Sequence, residues 1–297
     1  MTELYRWLTE HCILLILYIL GTYLLVSILV YFLQDMILFR PEKLSKEFQF
    51  DYENLKFQEY LIDVKPGVTL SGMRFKAENP IGVVFYLKGN SRSIKGWGKF
   101  AIDFVRYNYD VIMIDYRGFG KSTGIRSQEE IKKDLQLVYD KIKEKVEEKY
   151  IVLYGRSMGS GFATKLASAN NPGMLILDAP YYSMSKTTGR YMPFMPMSIL
   201  LKFPIPTYKW IKYVKCPIHI IHGTSDTLIP FSSSIKLSKI NSSLTRLYPV
   251  ISGGHNNLHN FESYHEILSQ VFTIKKLEFD KEKSSLAFIR KGDRKRR

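Results

Sequence analysis

From Cys12 to Gln34 the chain carries no charged side chain, a run of 23 positions. Nothing else in the sequence constrains the fold as strongly. At about 1.5 Å of rise per residue, a helix of this length covers roughly 35 Å, enough for a bilayer core of about 30 Å. Tyr5 and Trp7 stand before the run, and Tyr31, Phe32 and Phe39 stand at its end, where aromatic rings anchor a helix at the membrane–water interface. A secretory signal has an apolar stretch of only about 7–15 residues and a small-residue cleavage site, and neither fits. The expected layout is a short tail (1–11), a retained single-pass anchor (12–34) and a linker (35–55). Arg6 precedes the span with Glu3 and Glu10, whereas Arg40, Lys43 and Lys46 follow it. The positive-inside rule therefore favours a main domain on the cytoplasmic side of the membrane.

The rest of the chain alternates in period. Residues 56–64 and 68–75 read as two strands around the turn Pro66-Gly67, with strands at 82–88 and 110–115 and a helical stretch near 97–107 between them. Ser127 and Glu130 have the spacing of a capping box before a helix over 128–147. "YIVLYG" is a strand followed by a helix over 158–169. "MLILDAP", "IHIIHG" and "TRLYPVI" are further strands, and 257–272 is a helix. A hairpin followed by repeated strand–helix alternation predicts an α/β domain over 56–273, with a mostly parallel sheet flanked by helices. The irregular segment 181–213 is a small cap insert.

Charge bears on partners. The chain has 43 Lys and Arg against 28 Asp and Glu, a net charge of +15, which favours anionic surfaces. No basic–aromatic module for nucleic acid is present, so the bilayer is the expected partner. The basic C-terminal tail (274–297, ending "IRKGDRKRR") is either a solvated end or a contact with anionic lipid headgroups. Cys12 and Cys216 have neither the number nor the spacing for a zinc site or a disulfide framework.

Two motifs mislead. "GFGKSTG" contains GKS, but the position where a phosphate-binding loop needs its first glycine is Asp115. His219 and His222 lie three apart on a strand and face opposite sides, so one metal cannot take both. No metal and no cofactor is expected.

"YGRSMGSG" fits G-x-S-x-G with Gly155, Ser157 and Gly159, placed between an apolar strand and a small-residue helix. A serine hydroxyl needs a base, and a nucleophile elbow calls for an acid and then a histidine later in the chain. Asp226 in "HGTSDTLIP" and His255 in "ISGGHNNL" supply them, each just after a strand, where open α/β sheets build their sites. His259 is a spare one helical turn later.

Together "FYLKGN", "IDYRGFGKSTG", "YGRSMGSG", "IIHGTSDTLIP" and "GGHNNL" resemble the α/β-hydrolase superfamily. More narrowly, they resemble its membrane-anchored bacterial hydrolases of the serine-aminopeptidase-like branch, related to eukaryotic α/β-hydrolase-domain proteins. The likeness runs over residues 56 to 270. It implies the α/β-hydrolase fold, with Ser157 as nucleophile, His255 as general base and then acid, and Asp226 orienting His255. It also implies an oxyanion hole made by the backbone N–H groups of Asn90 and Met158. Asp115 and Arg117 would pair and brace the neighbouring loop. Relatives commonly carry His-Gly-Asn where this chain has Lys88-Gly89-Asn90. Lys88 is therefore either a rim residue or brace of the turn, or a source of positive potential beside the oxyanion.

The cap carries Lys186, Arg190, Lys202, Lys209 and Lys212 and no Asp or Glu. Its Tyr181, Tyr182, Met184, Tyr191, Met192 and Phe194 are candidates for the substrate pocket, with Lys88 beside them. A cap without acids suits a substrate ammonium poorly. The expected activity is a membrane-anchored serine hydrolase that cleaves a carboxylic ester or thioester of a hydrophobic acyl group through an acyl-enzyme on Ser157. An aminopeptidase or amidase of the same fold, and a catalytically silent membrane scaffold, are the other readings.

Overall fold

The computed structural model describes residues 2–294. It opens with α1 (Thr2–Leu38). The hairpin β1 (Phe57–Lys65) and β2 (Val68–Phe75) follows, then β3 (Gly82–Leu87), α2 (Ile94–Trp97), α3 (Ile102–Val105) and β4 (Tyr109–Ile114). Next come α4 (Gln128–Lys143), β5 (Ile151–Arg156), α5 (Met158–Ala169) and β6 (Met174–Asp178). The cap holds α6 (Met184–Tyr191), α7 (Met197–Leu200) and α8 (Thr207–Trp210), and β7 (Ile218–Gly223), α9 (Ser232–Ser238), β8 (Thr245–Val250) and α10 (Glu262–Arg294) complete the order.

The eight strands form one sheet in the order β1-β2-β4-β3-β5-β6-β7-β8. The β1–β2 and β2–β4 pairs are antiparallel, and every pair from β4–β3 onward is parallel. Strands β3, β5 and β6 are buried along their whole length, as near-continuous apolar runs in a two-sided parallel sheet must be. Alternate residues feed two cores. Phe85, Leu87 and Leu153 point to the face covered by α4, α5 and the cap, while Val84, Tyr86 and Tyr154 point to the face covered by α3 and α10. Helix α4 buries Ile131, Leu135, Val138 and Ile142 along one stripe, and the Ser127 hydroxyl caps it by accepting from Glu130 N–H at 3.1 Å. The helix expected near 97–107 is broken into short pieces. Gly98 sits against the Tyr52 ring, which a Cβ there would overlap, and the Tyr52 hydroxyl donates to the Ile94 carbonyl at 2.8 Å. Helix α9 was not anticipated. The backbone of α10 continues to Arg294, and the tail's proposed lipid contact falls on side chains outside the described residues.

Helix α1 has two regimes. From Glu3 to Leu25 every position is exposed, whereas Ser27, Val30, Gln34 and Leu38 are buried against the domain. Those four lie on one helical face. The Ser27 hydroxyl reaches Met195 Sδ at 3.5 Å. The Gln34 side chain clamps the end of α7, donating to the Leu200 carbonyl at 3.0 Å and accepting from Lys202 N–H at 2.6 Å. Beyond the helix, Phe39 packs edge-on against Phe203, and residues 40–44 run on as a strap across the domain.

Candidate active site

Strand β5 ends at Arg156 and α5 begins at Met158, so Ser157 alone makes the turn, with φ 50° and ψ −118°. A non-glycine residue held there costs on the order of 1–3 kcal/mol, and its surroundings hold it. Ser157 N–H donates to the Asp178 carbonyl at 2.9 Å. A Cβ on Gly155 would stand 2.7 Å from the Ala163 methyl, and one on Gly159 would collide with the Leu87 and Lys88 carbonyls. The two motif glycines thus let α5 press against the ends of β3 and β5.

The Ser157 hydroxyl lies 2.9 Å from His255 Nε2, and His255 Nδ1 lies 2.7 Å from Asp226 Oδ2. A carboxylate only accepts, so Nδ1 carries the proton, and the free Nε2 accepts from Ser157. Asp226 Oδ1 accepts from the backbone N–H groups of Leu228 and Ile229 at 2.9 and 2.8 Å. Burial disfavours the charged form of Asp226. Hydrogen bonds from His222 and His255 outweigh burial and hold the carboxyl well below its ordinary range. His259 instead packs edge-on against Phe100.

His222, which sequence reasoning set aside with His219, belongs to this arrangement. It is fully buried; its Nε2 donates to Asp226 Oδ2 at 3.0 Å and faces the Ile229 carbonyl at 3.0 Å, while Nδ1 lies 2.6 Å from the Ser234 hydroxyl. With Nε2 protonated, Nδ1 accepts from Ser234, so a neutral ring satisfies both bonds. His219 faces the other way, 3.2 Å from the Tyr248 hydroxyl, and burial beside Arg246 and Lys275 pushes it down to about 4.

The turn after β3 places Gly89 beside Ser157: a Cβ there would stand 3.8 Å from the Ser157 Cβ and 3.1 Å from the Trp97 ring. Asn90 N–H in this turn and Met158 N–H at the first position of α5 have no acceptor among the described residues. The turn is braced from behind. The Asn90 side chain donates to the Leu38 carbonyl at 2.6 Å, Arg40 N–H donates to the Asn90 carbonyl at 2.9 Å, and Arg92 N–H donates to the Arg40 carbonyl at 2.9 Å. From the cap side, the Tyr181 hydroxyl donates to the Met158 carbonyl at 3.0 Å.

Lys88 is neither a rim residue nor part of the pocket. It is fully buried beneath the turn, its Nζ 3.4 Å from Asp115 Oδ1, 3.3 Å from the Arg92 carbonyl and 3.8 Å from the centre of the Phe119 ring. A buried ammonium requires a counter-ion, and Asp115 supplies it. The expected Asp115–Arg117 pair therefore does not form. Arg117 instead forks onto Asp134 with two 2.7 Å bonds and also reaches Glu130. Burial pushes Lys88 down to about 8 and Asp115 up to about 6, each against the pull of the other.

A cavity of about 520 Å³ opens over Ser157 and His255, within the roughly 300–1,000 Å³ range of small-molecule sites. Tyr181, Met184, Tyr191 and Met192 line it as expected. Tyr182 does not; it stacks on Tyr208 with ring centroids 4.6 Å apart. Phe194 does not either, and stands 87% exposed on the cap surface. Sequence reasoning missed a wall contributed by Val30, Gln34, Ile37 and Leu38 of α1. A signal for it exists: Ser27 and Gln34, seven apart in an otherwise apolar helix, mark one face. Arg40, Arg156 and Asn256 supply the polar side of the cavity, and no Asp or Glu lines it. Arg156 is held under the rings of Trp97 and Phe100, 3.6 Å from Asp178.

Comparison with known proteins agrees with this architecture. Residues 78–213 match the sequence model of a family described as "Serine aminopeptidase, S33". Lysophosphatidylserine lipase ABHD12 of Danio rerio is 27% identical over 188 residues, covering 55% of this chain and 47% of that protein. An uncharacterized protein of Mycobacterium tuberculosis is 25% identical over 206 residues, covering 67% of this chain and 73% of that one. The chain spans about half the length of the lysophosphatidylserine lipases it matches. Among solved structures, an esterase of Pyrococcus furiosus superposes with a TM-score of 0.63 at 20% identity, over 82% of this chain and 98% of that one. The chain has the α/β-hydrolase fold, and residues 78–213 carry the sequence pattern of that serine aminopeptidase family.

Proposed function

We propose that this protein is a membrane-anchored serine hydrolase that cleaves a carboxylic ester or thioester of a hydrophobic acyl group. The observation that carries the reading is the unbroken line from Ser157 through His255 to Asp226, at 2.9 and 2.7 Å, on a strained elbow. Ser157 Oγ attacks the acyl carbonyl as His255 Nε2 takes its proton. Negative charge then builds on the carbonyl oxygen, which accepts from the N–H groups of Asn90 and Met158, each worth about 3 kcal/mol in the transition state. The helix dipole of α5 adds to this stabilisation. His255 returns its proton to the leaving oxygen or sulfur. A water activated by the same nitrogen then releases the acid from Ser157. Asp226 keeps His255 in the tautomer that both half-reactions need.

The cavity supports the substrate class. Its apolar walls suit an acyl chain, each buried methylene contributing about 0.8 kcal/mol. Arginines without acids suit an anionic or neutral leaving group rather than the ammonium of a peptide terminus. Relatives named as lysophosphatidylserine lipases, and an esterase of the same fold, support ester chemistry. The exposed apolar stretch of α1 supports a bilayer anchor, with the positive-inside pattern favouring a cytoplasmic domain.

The test is labelling of the full chain with a fluorophosphonate, alongside a panel of acyl esters, thioesters and aminoacyl amides. Wild type is expected to label and to prefer long-acyl esters or thioesters, and Ser157→Ala to do neither. Equal labelling of both forms refutes the assignment of Ser157, and faster cleavage of aminoacyl amides refutes the substrate class.

A further inference from the structure

The acyl cavity is not enclosed by the hydrolase domain alone. One wall is the last three turns of α1, through Val30, Ile37 and Leu38, and the facing wall is the cap, through Met192, Met197 and Leu201. Gln34 ties the two walls together at Leu200 and Lys202. The same helix, continued toward its N-terminus, is the 23-position apolar run, which overlaps the wall from Val30 to Gln34.

The outer surface at this level is also apolar. On the cap, Phe194 and Ile199 are 87% and 81% exposed, flanking Met195, which touches Ser27 of α1. Phe32 and Met36 are exposed on the helix face turned away from the domain. Lys202 holds its ammonium 4.4 Å from the Tyr31 ring centre, in the arrangement of a basic and aromatic belt at a lipid headgroup level. Exposed apolar side chains on the cap beside an apolar helix, with the Lys202 ammonium at the Tyr31 ring, fit a bilayer leaflet rather than water.

Resting on the hydrolase reading above, we propose that the cleft between α1 and the cap is a lateral entrance, through which the acyl chain of a lipid in the leaflet reaches Ser157 without crossing water. The cap tip at Phe194 and Ile199 seats in the leaflet, and the last turns of α1 form the track along which the chain slides. The polar end of the substrate comes to rest toward Arg40 and Asn256, at the opposite side of the cavity. The substrate class this geometry selects is an acyl ester that resides in the bilayer, not one delivered from solution.

The experiment uses the full chain in phosphatidylcholine–phosphatidylglycerol vesicles. Rates are measured in the same sample for 4-methylumbelliferyl palmitate, carried in the bilayer, and for 4-methylumbelliferyl acetate, dissolved in water. The ratio of the two rates cancels any loss of folded protein. Ile37→Trp fills the track from a half-exposed position and is expected to lower the palmitate-to-acetate ratio about tenfold or more. Phe194→Glu places a charge at the cap tip and is expected to lower it several-fold, about three or more. A ratio that stays at the wild-type value in either variant overturns the lateral entrance while leaving the hydrolase reading intact. A wild-type protein that cleaves neither ester and takes no fluorophosphonate refutes the hydrolase reading and, with it, the entrance.

Discussion

Replacing Lys88 by methionine tests whether a buried charge holds the turn that carries Asn90, the proposed oxyanion donor. Met keeps the length of the side chain and removes its ammonium. Asp115 is then left buried with the Ile94 N–H, at 3.0 and 3.2 Å, as its remaining donor at that end. Removing one member of a buried pair costs about 3–5 kcal/mol. The lower end applies here. Burial has already lifted Asp115 to about 6 with Lys88 present, so without Lys88 it takes up a proton at neutral pH instead of remaining an isolated anion. A loss of about 3 kcal/mol corresponds to a fall of roughly 6–12 °C in melting temperature for a domain of this size. The gap between wild type and variant narrows as pH falls through about 6. Below that point Asp115 is neutral in the wild type too, and Lys88 has lost its counter-ion. Thermal melts of the full chain in detergent at pH 7.5 and 5.5, as about two convenient settings either side of that value, measure both effects. Turnover is expected to fall modestly, by about tenfold or less, because the donor at the turn is backbone. A variant that melts like wild type but is as inactive as Ser157→Ala would refute the bracing argument and put the ammonium in the chemistry.

Three further outcomes follow from the same contacts. His222→Leu removes one of the donors on Asp226, so kcat is expected to fall about ten- to a hundredfold with KM little changed, and His222→Gln, which keeps an N–H, to recover part of the loss; equal defects in the two variants would show that only packing was disturbed. Deleting residues 1–50 removes the strap and its bonds to Asn90, Arg92, Ser93 and Gly120, a loss of about 6 kcal/mol at roughly 1 kcal/mol per bond, so this truncation is expected to lose activity in an ester assay that a 1–24 deletion survives. Asp226 is depressed below its ordinary 3.8, so it stabilises the fold above that pH and loses the contribution as pH falls further; the difference in melting temperature between wild type and Asp226→Asn should shrink from pH 7 to below about 4, and a pH-independent difference would contradict it.

The meeting of the three proposed triad residues was legible because their positions follow local rules. An elbow serine needs flanking glycines, and an acid and a histidine must follow at the ends of later strands; Ser157, Asp226 and His255 come together as that order implies. What was not legible depends on which distant segments meet. Lys88 looked like a charge at a boundary because nothing near it in sequence reveals that Asp115, at the end of β4, lies alongside. Arg117 looked like Asp115's partner by proximity, yet past the turn its side chain reaches the first turns of α4. The pocket wall on α1 was passed over because Ser27 and Gln34 read only as uncharged members of a membrane span and not as the mark of a covered face. His222 was judged only against a metal, and its role as a donor to the acid four residues on was passed over.

The strap has a consequence for the order in which this molecule is made. Its bonds join residues 38–44 to turns at 90–93 and 119–121, so each closes a loop of some 50 to 80 residues. Such contacts form late, because the chain must first give up the entropy of those loops. The sheet, whose central strands pair through β3, β4 and β5, does not depend on them. During refolding, the recovery of sheet structure should therefore run ahead of the recovery of catalysis, with the interval set by the return of the chain's own beginning to the turn that it braces.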